Sequence, residues 1–338
     1  MSNLPNVSAL PSTQHCGRQR AYRAAVVLLV LFCLLTSLAA TSDAEPISVG
    51  RPDETIRALR QKIQAEPNDA EAYSILCRVY YLVDNWEQAI STGERAVQLA
   101  PRVAYYHLWL GRAYGRKAEQ ANPVMAFMLA RKVVREFERA HQLDPDNWPI
   151  RRDLAEFYVL APSIVGGGDY KAVALADGMS SKDLAGASSI RAMLAQKKKN
   201  WKEAESQFKA AVQASGGAAG AWLDLARFYR TGKRWGEFDD AVRHALESPK
   251  KNPEDLFDAG ELLGAQGRML PQACDALREY LRGNSNDEYA TAFRAHYLLG
   301  QALEKMGDAK EAIREYRSSL ALASNYQPAQ EALRRLGA

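Results

Sequence analysis

Residues 70–101 read AEAYSILCRVYYLVDNWEQAISTGERAVQLAP. Tyr73, Leu76 and Tyr80 recur at spacings of three and four, which places them on one face of a helix. Cys77, next to Leu76, is small enough for a second helix to approach closely. Asp84 and Asn85 break the pattern with residues that favour turns. A second helical stretch follows, burying Ala89 and Ala96 against the first. Pro101 ends it, because proline cannot continue a helix interior. The stretch therefore predicts one helix–turn–helix unit.

The unit recurs. Numbering Ala70 as position 1, position 8 of successive units reads Cys77, Gly111, Ala155, Ala192, Ala226, Gly260 and Gly300, never larger than cysteine. Large residues flank it in most units, as Leu110 and Tyr114 do around Gly111, the fourth being weakest with Arg191 and Ala195. The spacing W-x2-L-G-x2-Y, then Ala, then Pro, over about 34 residues, is that of the tetratricopeptide repeat. Across about three quarters of its length the chain resembles that family. The resemblance implies an all-α, right-handed superhelical solenoid of about seven helix-turn-helix repeats with capping helices at both ends. The expected divisions are residues 1–44, an N-terminal cap over 45–67, the solenoid over 68–326 and a C-terminal cap over 327–338.

Two repeats depart from the pattern. In the second, the later half is displaced, with Phe137, Ala140 and Pro145 taking positions 24, 27 and 32. Asn122-Pro123 reads as an N-cap followed by a first-turn proline, so both helices are lengthened and their tip projects. Met125, Phe127 and Met128 lie on that projection, and packing between the two long helices is the expected role. A protruding apolar contact for a partner is the alternative. The third repeat carries the loop Ala161–Gly168, with a second helix over Asp169–Met179. Its glycines follow a helix and precede Asp169-Tyr170-Lys171, whereas a phosphate loop needs a preceding strand and a closing Gly-Lys-Ser/Thr. They serve a tight turn. In the fourth repeat, Lys197, Lys198 and Lys199 form a solvated turn.

Composition agrees with a helical solenoid and excludes other classes. Apolar content of 47% and charged content of 25% are ordinary for a globular chain. A net charge of +4 from 44 basic and 40 acidic residues gives no basis for nucleic-acid binding. At the N-terminus, Arg18, Arg20 and Arg23 precede the apolar run Ala24–Leu35, and small residues continue to Ala44. That order describes a secretory signal peptide or an uncleaved membrane anchor. It leads us to expect export to the periplasm, or attachment to the inner membrane through residues 24–40 with the solenoid facing the periplasm. Cys16 and Cys33 fall in this segment. Cys77 and Cys274 fall in different repeats, too distant for a disulfide, and read as small buried residues.

No constellation for catalysis, metal or cofactor stands out. His107 and His296 occupy position 4, a packing position, and Trp86, Trp201, Trp235 and Trp222 also fall at repeat positions. There is no His-Glu-x-x-His pair, paired-cysteine site or Gly-x-Ser-x-Gly elbow. The chain is read as a non-enzymatic scaffold, with function on the concave surface formed by positions 2, 5, 9, 12 and 13 of each first helix. The candidate binding residues are Arg78, Tyr81, Tyr105, Arg112, Arg116, Arg152, Arg227, Arg230 and Tyr297, with Glu156, Lys197, Phe257, Glu261, Arg294 and Lys305 nearby. Arginine interleaved with aromatics suits an acidic or C-terminal peptide. The carboxylate clamp of chaperone-binding relatives needs Lys at position 5, and position 5 never holds lysine here. Two other roles stay open: a membrane-anchored accessory of an envelope assembly or secretion machine, and a domain sensing a small molecule or glycan.

Overall fold

The computed structural model describes residues 51–179, 182–283 and 291–338. The N-terminal basic and apolar segment, with Cys16 and Cys33, lies outside them. Among the described residues there are sixteen α-helices, one short 3-10 turn at Ser163–Val165 and no strand. A leading helix, α1 (Pro52–Ala65), precedes seven pairs: α2 (Ala70–Leu82) with α3 (Trp86–Leu99), α4 (Ala104–Glu119) with α5 (Pro123–Leu143), and α6 (Trp148–Leu160) with α7 (Asp169–Met179). Then come α8 (Leu184–Lys197) with α9 (Trp201–Ala214), α10 (Ala219–Thr231) with α11 (Trp235–Glu247), α12 (Pro253–Gln266) with α13 (Leu270–Arg282), and α14 (Ala292–Lys305) with α15 (Ala309–Leu322). The last helix, α16 (Gln327–Leu336), packs on α15.

Local chemistry starts and stops these helices. Asp69, Asn85, Asn122, Asn147, Asp183, Asn200 and Asp308 each accept a hydrogen bond from a first-turn backbone N–H of the helix they precede, satisfying a donor the helix itself cannot. The turn within a pair is the same in five repeats. Position 15 takes the left-handed conformation at Asp84, Lys199, Lys233, Gly267 and Gly307, with φ of 60°, 58°, 55°, 64° and 87°. The next residue's N–H then donates back to the position-11 carbonyl, as Asn85 does to Tyr80 at 2.9 Å and Arg234 to Tyr229 at 3.0 Å. This closure ties off carbonyls left over at the helix end.

Each pair packs where position 8 is small. A Cβ built on Gly111 would lie 2.5 Å from the Phe137 ring, one on Gly260 2.5 Å from Leu277, and one on Gly300 2.6 Å from Tyr316. Cys77 and Cys274 are both free and buried, and burial pushes the Cys77 thiol up to about 12. His107 is buried and within 2.7 Å of the buried Glu136. His296, expected in the core, is instead partly exposed and meets Glu315 at 2.6 Å. The Lys197-Lys198-Lys199 turn is exposed, as expected, and its first two lysines pair with Asp169.

Two features depart from a simple stack. First, the ends of the solenoid meet. Val79 and Leu82 of α2 share a buried cluster with Phe293, Ala323, Tyr326 and Ala329. The Ser324 N–H donates to Asp53 at 2.8 Å, and the Phe293 and Tyr326 rings meet edge-on at 4.9 Å. The first repeat therefore touches the seventh, although five repeats separate them in sequence, and the described repeats close into a ring. Helix α8 presents the small side chains Ala185, Gly186 and Ser189 to the inner wall. Over that thin helix Arg152 of α6 reaches Asp224 of α10, 3.7 Å apart.

Second, α5 is 21 residues long and overhangs its partner. Val124, Met125, Phe127 and Met128 are 73%, 45%, 39% and 55% exposed. The expected packing between two long helices does not occur there. Helix α4 ends at Glu119, so only from Leu129 onward, with Val133, Val134 and Phe137, does α5 join the core.

Candidate functional site

The inner wall of the ring encloses a cavity of about 1000 Å³. It is lined chiefly by the first helices of the pairs, the concave surface of the repeats. Three of the expected arginines stand on this wall with their guanidinium groups already engaged. Arg112 of α4 bonds Asp153 of α6 at 2.5 Å, and only 11% of its side chain is exposed. Arg227 of α10 bonds Asp224 at 2.8 Å and Asp258 of α12 at 2.6 Å. Arg152 lies beside Asp224 as described, and Arg294 of α14 bonds Glu261 of α12 at 3.4 Å.

Two of these pairs share one register. Arginine at position 9 of one repeat meets position 6 of the next: Arg112 meets Asp153, and Arg227 meets Asp258. Arg78 shares it, with Trp109 as the position-6 residue and the guanidinium 5.5 Å from that ring and 5.3 Å from Tyr105. The register follows from the geometry of stacked parallel helices, in which a side chain one turn further along leans over the neighbouring helix. The aspartates at position 6 were not among the candidates from sequence. Their signal was there: Asp153, Asp224 and Asp258 recur at one repeat position, in register with arginines.

Of the nine candidates, Tyr81, Arg112, Arg116, Arg152 and Arg227 line the cavity. Arg116 lies over Trp86 at 5.1 Å and bonds the nearby Glu119 at 2.5 Å. Tyr81 packs edge-on against Trp86 and Trp109 at 5.5 and 5.3 Å. Arg78 and Tyr105 are partly buried against Trp109 and do not line the cavity. Arg230 also stands outside it. Tyr297 belongs to the closure, 5.4 Å from Tyr326. Glu156, Phe257, Glu261 and Arg294 are on the wall, while Lys197 and Lys305 are not.

The balance of charge on the wall is acidic. Nine carboxylates stand among the lining residues against six arginines and lysines. Glu156, at position 9 of the third repeat, differs from the other inner-wall acids described above. Its carboxylate has no hydrogen bond or ion pair among the described residues. Enclosure in the ring pushes its carboxyl above the usual range, against the opposing pull of Arg152. The side chain is nonetheless open to the cavity. Arg152 and Arg227 pull on the Glu156 carboxylate but neither bonds it, so it stays open to a cation that comes from outside. Among the described residues no cluster of His, Cys, Asp and Glu could hold a metal ion.

Comparison with known proteins agrees with this architecture. Profiles of the tetratricopeptide repeat match residues 191–255 and 293–326. No curated protein sequence matches the chain. Among solved structures, yeast Tom70 aligns with a TM-score of 0.50 and 14% identity, over 83% of this chain and 57% of Tom70. A thermophilic TPR protein of Thermus thermophilus aligns with a TM-score of 0.41 and 18% identity, over 63% of this chain and 91% of that one. YrrB, described as a TPR protein with an unusual peptide-binding site, aligns with a TM-score of 0.34 and 13% identity, over 72% of this chain and 97% of YrrB.

Proposed function

We infer that this chain, a tetratricopeptide-repeat protein, is an interaction scaffold that takes a short segment of a partner protein into its ring. The observation that carries the reading is Glu156, a carboxylate with no hydrogen bond or ion pair among the described residues, facing a cavity of about 1000 Å³. The segment would present a lysine or arginine to Glu156 and lie along the Arg–Asp ladder. An acidic peptide is the weaker fit, because the inner arginines are already neutralised by aspartates and the wall carries more acid than base. Tyr81, Phe157 and Phe257 supply apolar area beside the charges.

In-cell crosslinking of the full chain, with mass spectrometry of what is captured, tests this against Glu156→Lys. A discrete partner lost in the variant, at unchanged melting temperature, supports the reading. Equal capture by both places the contact outside the ring. Closure of the ring favours a second reading, a small cationic molecule in the same cavity, whose volume is that of small-molecule sites. Native mass spectrometry of the purified protein separates the two. A bound mass of small-molecule size that Glu156→Gln removes would replace the peptide.

We also propose that the protein works in the cell envelope, on the support of the basic and then apolar order of residues 18–44. The role would be a periplasmic scaffold or an accessory of an envelope assembly or secretion machine. Cell fractionation with N-terminal sequencing tests it. Recovery in the cytoplasm with residue 1 intact would end the proposal.

A further inference from the structure

Twelve large apolar side chains are exposed in the described residues, and they are not scattered. Only Val103 and Leu184 lie at the connections between repeats. The other ten lie at or near the turns inside the pairs, on a single edge of the ring. Nine of these belong to three consecutive repeats, the second to the fourth. The α5 tip supplies Val124, Met125, Phe127 and Met128. The next turn supplies Leu160, Ile164, Tyr170 and Val173, exposed by 67%, 74%, 73% and 42%, and the turn after it supplies Trp201 at 47%. Isolated exposed apolar residues are ordinary, but a continuous run of them marks an interaction surface.

The charges on this edge identify the kind of surface it meets. Arg131, Lys199 and Lys202 carry no ion pair among the described residues. The acids present are mostly neutralised: Glu119 by Arg116, and Asp169 by Lys197 and Lys198. Glu203 remains, bonded to Gln207. The edge thus offers uncompensated positive charge around apolar side chains. Phe127, Tyr170 and Trp201 put an aromatic ring in each of the three turns, the residue type favoured at the boundary between hydrocarbon and headgroups.

The α5 tip shows the same order along its own axis. On the outward face of the helix Val124, Met125, Phe127 and Met128 come first, and Arg131, Lys132 and Arg135 follow one and two turns deeper, Lys132 paired with Glu94, Arg135 with Glu136 and Arg131 with no ion pair among the described residues. From Val124 to Arg131 the rise is about 10 Å at 1.5 Å per residue. Interfacial helices bury their apolar face to about that depth, with basic residues at the phosphates. No helix among the described residues is long and apolar enough to cross a membrane.

We propose that the edge formed by the intra-pair turns of the second to fourth repeats docks on an anionic lipid surface, with the α5 tip inserted at the acyl boundary. The edge adjoins the ring cavity at Leu160 but faces outward from it, and its occupant is lipid.

The test uses the full chain with Cys16→Ser and Cys33→Ser, so that a polarity-sensitive fluorophore reacts at one introduced cysteine while Cys77 and Cys274 stay buried. Met128→Cys places the label on the tip, and Val103→Cys places it at the opposite edge. Vesicles of phosphatidylcholine alone are compared with equal parts of phosphatidylcholine and phosphatidylglycerol. The expected result is a blue shift and severalfold brightening at position 128 with the anionic vesicles, little change at position 103, and weakening by salt. Arg131→Glu with Lys199→Glu and Lys202→Glu, all exposed or surface side chains, should abolish the shift without moving the melting temperature. No response at position 128 overturns the proposal. An equal response at position 103 also does, since residues outside this edge would then carry the binding. A response at 128 only to a lipid-free cell extract overturns it in favour of a protein partner.

Discussion

A single methyl group is large enough to matter between these helices. A Cβ at position 111 would lie 2.5 Å from the Phe137 ring, which is itself held in the core. Gly111→Ala should therefore destabilise the protein by about 1–3 kcal/mol, the usual effect of overpacking, although alanine is accepted at position 8 in three other repeats. Adding Phe137→Leu to that variant should recover part of the loss. Additive effects in a denaturation double-mutant cycle would count against contact between the two positions. Glu205 gives a second residue-level expectation. Arg234 binds it at 2.5 Å, and this bond, aided by Lys209 and Tyr229, holds its carboxyl down at about 2 against an ordinary 4.5. A depressed carboxylate stabilises the fold fully above about pH 4.5 and loses that contribution as pH falls toward 2. Melting temperature followed down through this window should fall less steeply in Glu205→Gln than in the parent, from a lower starting value at neutral pH.

At the scale of elements, the ladder from position 9 to position 6 decides how neighbouring repeats sit. Arg112 and Asp153 are mostly shielded from solvent, at 11% and 20% exposure, so removing one partner leaves a charge with little water to compensate it. Arg112→Ala should cost about 2 kcal/mol, the range for hydrogen bonds to charged groups. Arg112→Leu combined with Asp153→Leu should recover most of it, because a matched apolar pair avoids the desolvation penalty. Chemical denaturation of the three variants checks this, and a double variant as weak as the single one would reduce the ladder to a bystander. The aspartates were legible in principle, as residues repeating at one position. The family's inner-wall positions 2, 5, 9, 12 and 13 do not include position 6, yet Asp153, Asp224 and Asp258 all line the cavity. The turns show the opposite limit. Five share a left-handed residue at position 15, but only two of those are glycine, so composition alone did not reveal the common geometry.

At the scale of the whole molecule, closure turns a groove into a cavity. The contact joins Val79 and Leu82 to Phe293 and Tyr326 across more than two hundred residues of sequence. Tyr326→Asp would bury an uncompensated charge in that joint. The expected outcome is a larger radius of gyration by small-angle scattering with unchanged helical circular dichroism, since each pair keeps its own core. An unchanged radius of gyration would mean that the ends are held by the remaining contacts, Ser324 to Asp53 among them.

The sequence by itself determined the helix pairs and their register, because each of these depends on side chains within one repeat length. Position 8 alone carries most of that information. Only the tertiary structure decided that the ends meet, that the inner arginines are neutralised, that Glu156 is left without a hydrogen bond or ion pair, and that the α5 tip stands clear of its neighbour. The reason is physical. Curvature accumulates from small rotations at every repeat interface, so no single stretch encodes the closed ring. Whether a charge is free depends on partners about 30 to 70 residues away, brought alongside only when the stack is complete.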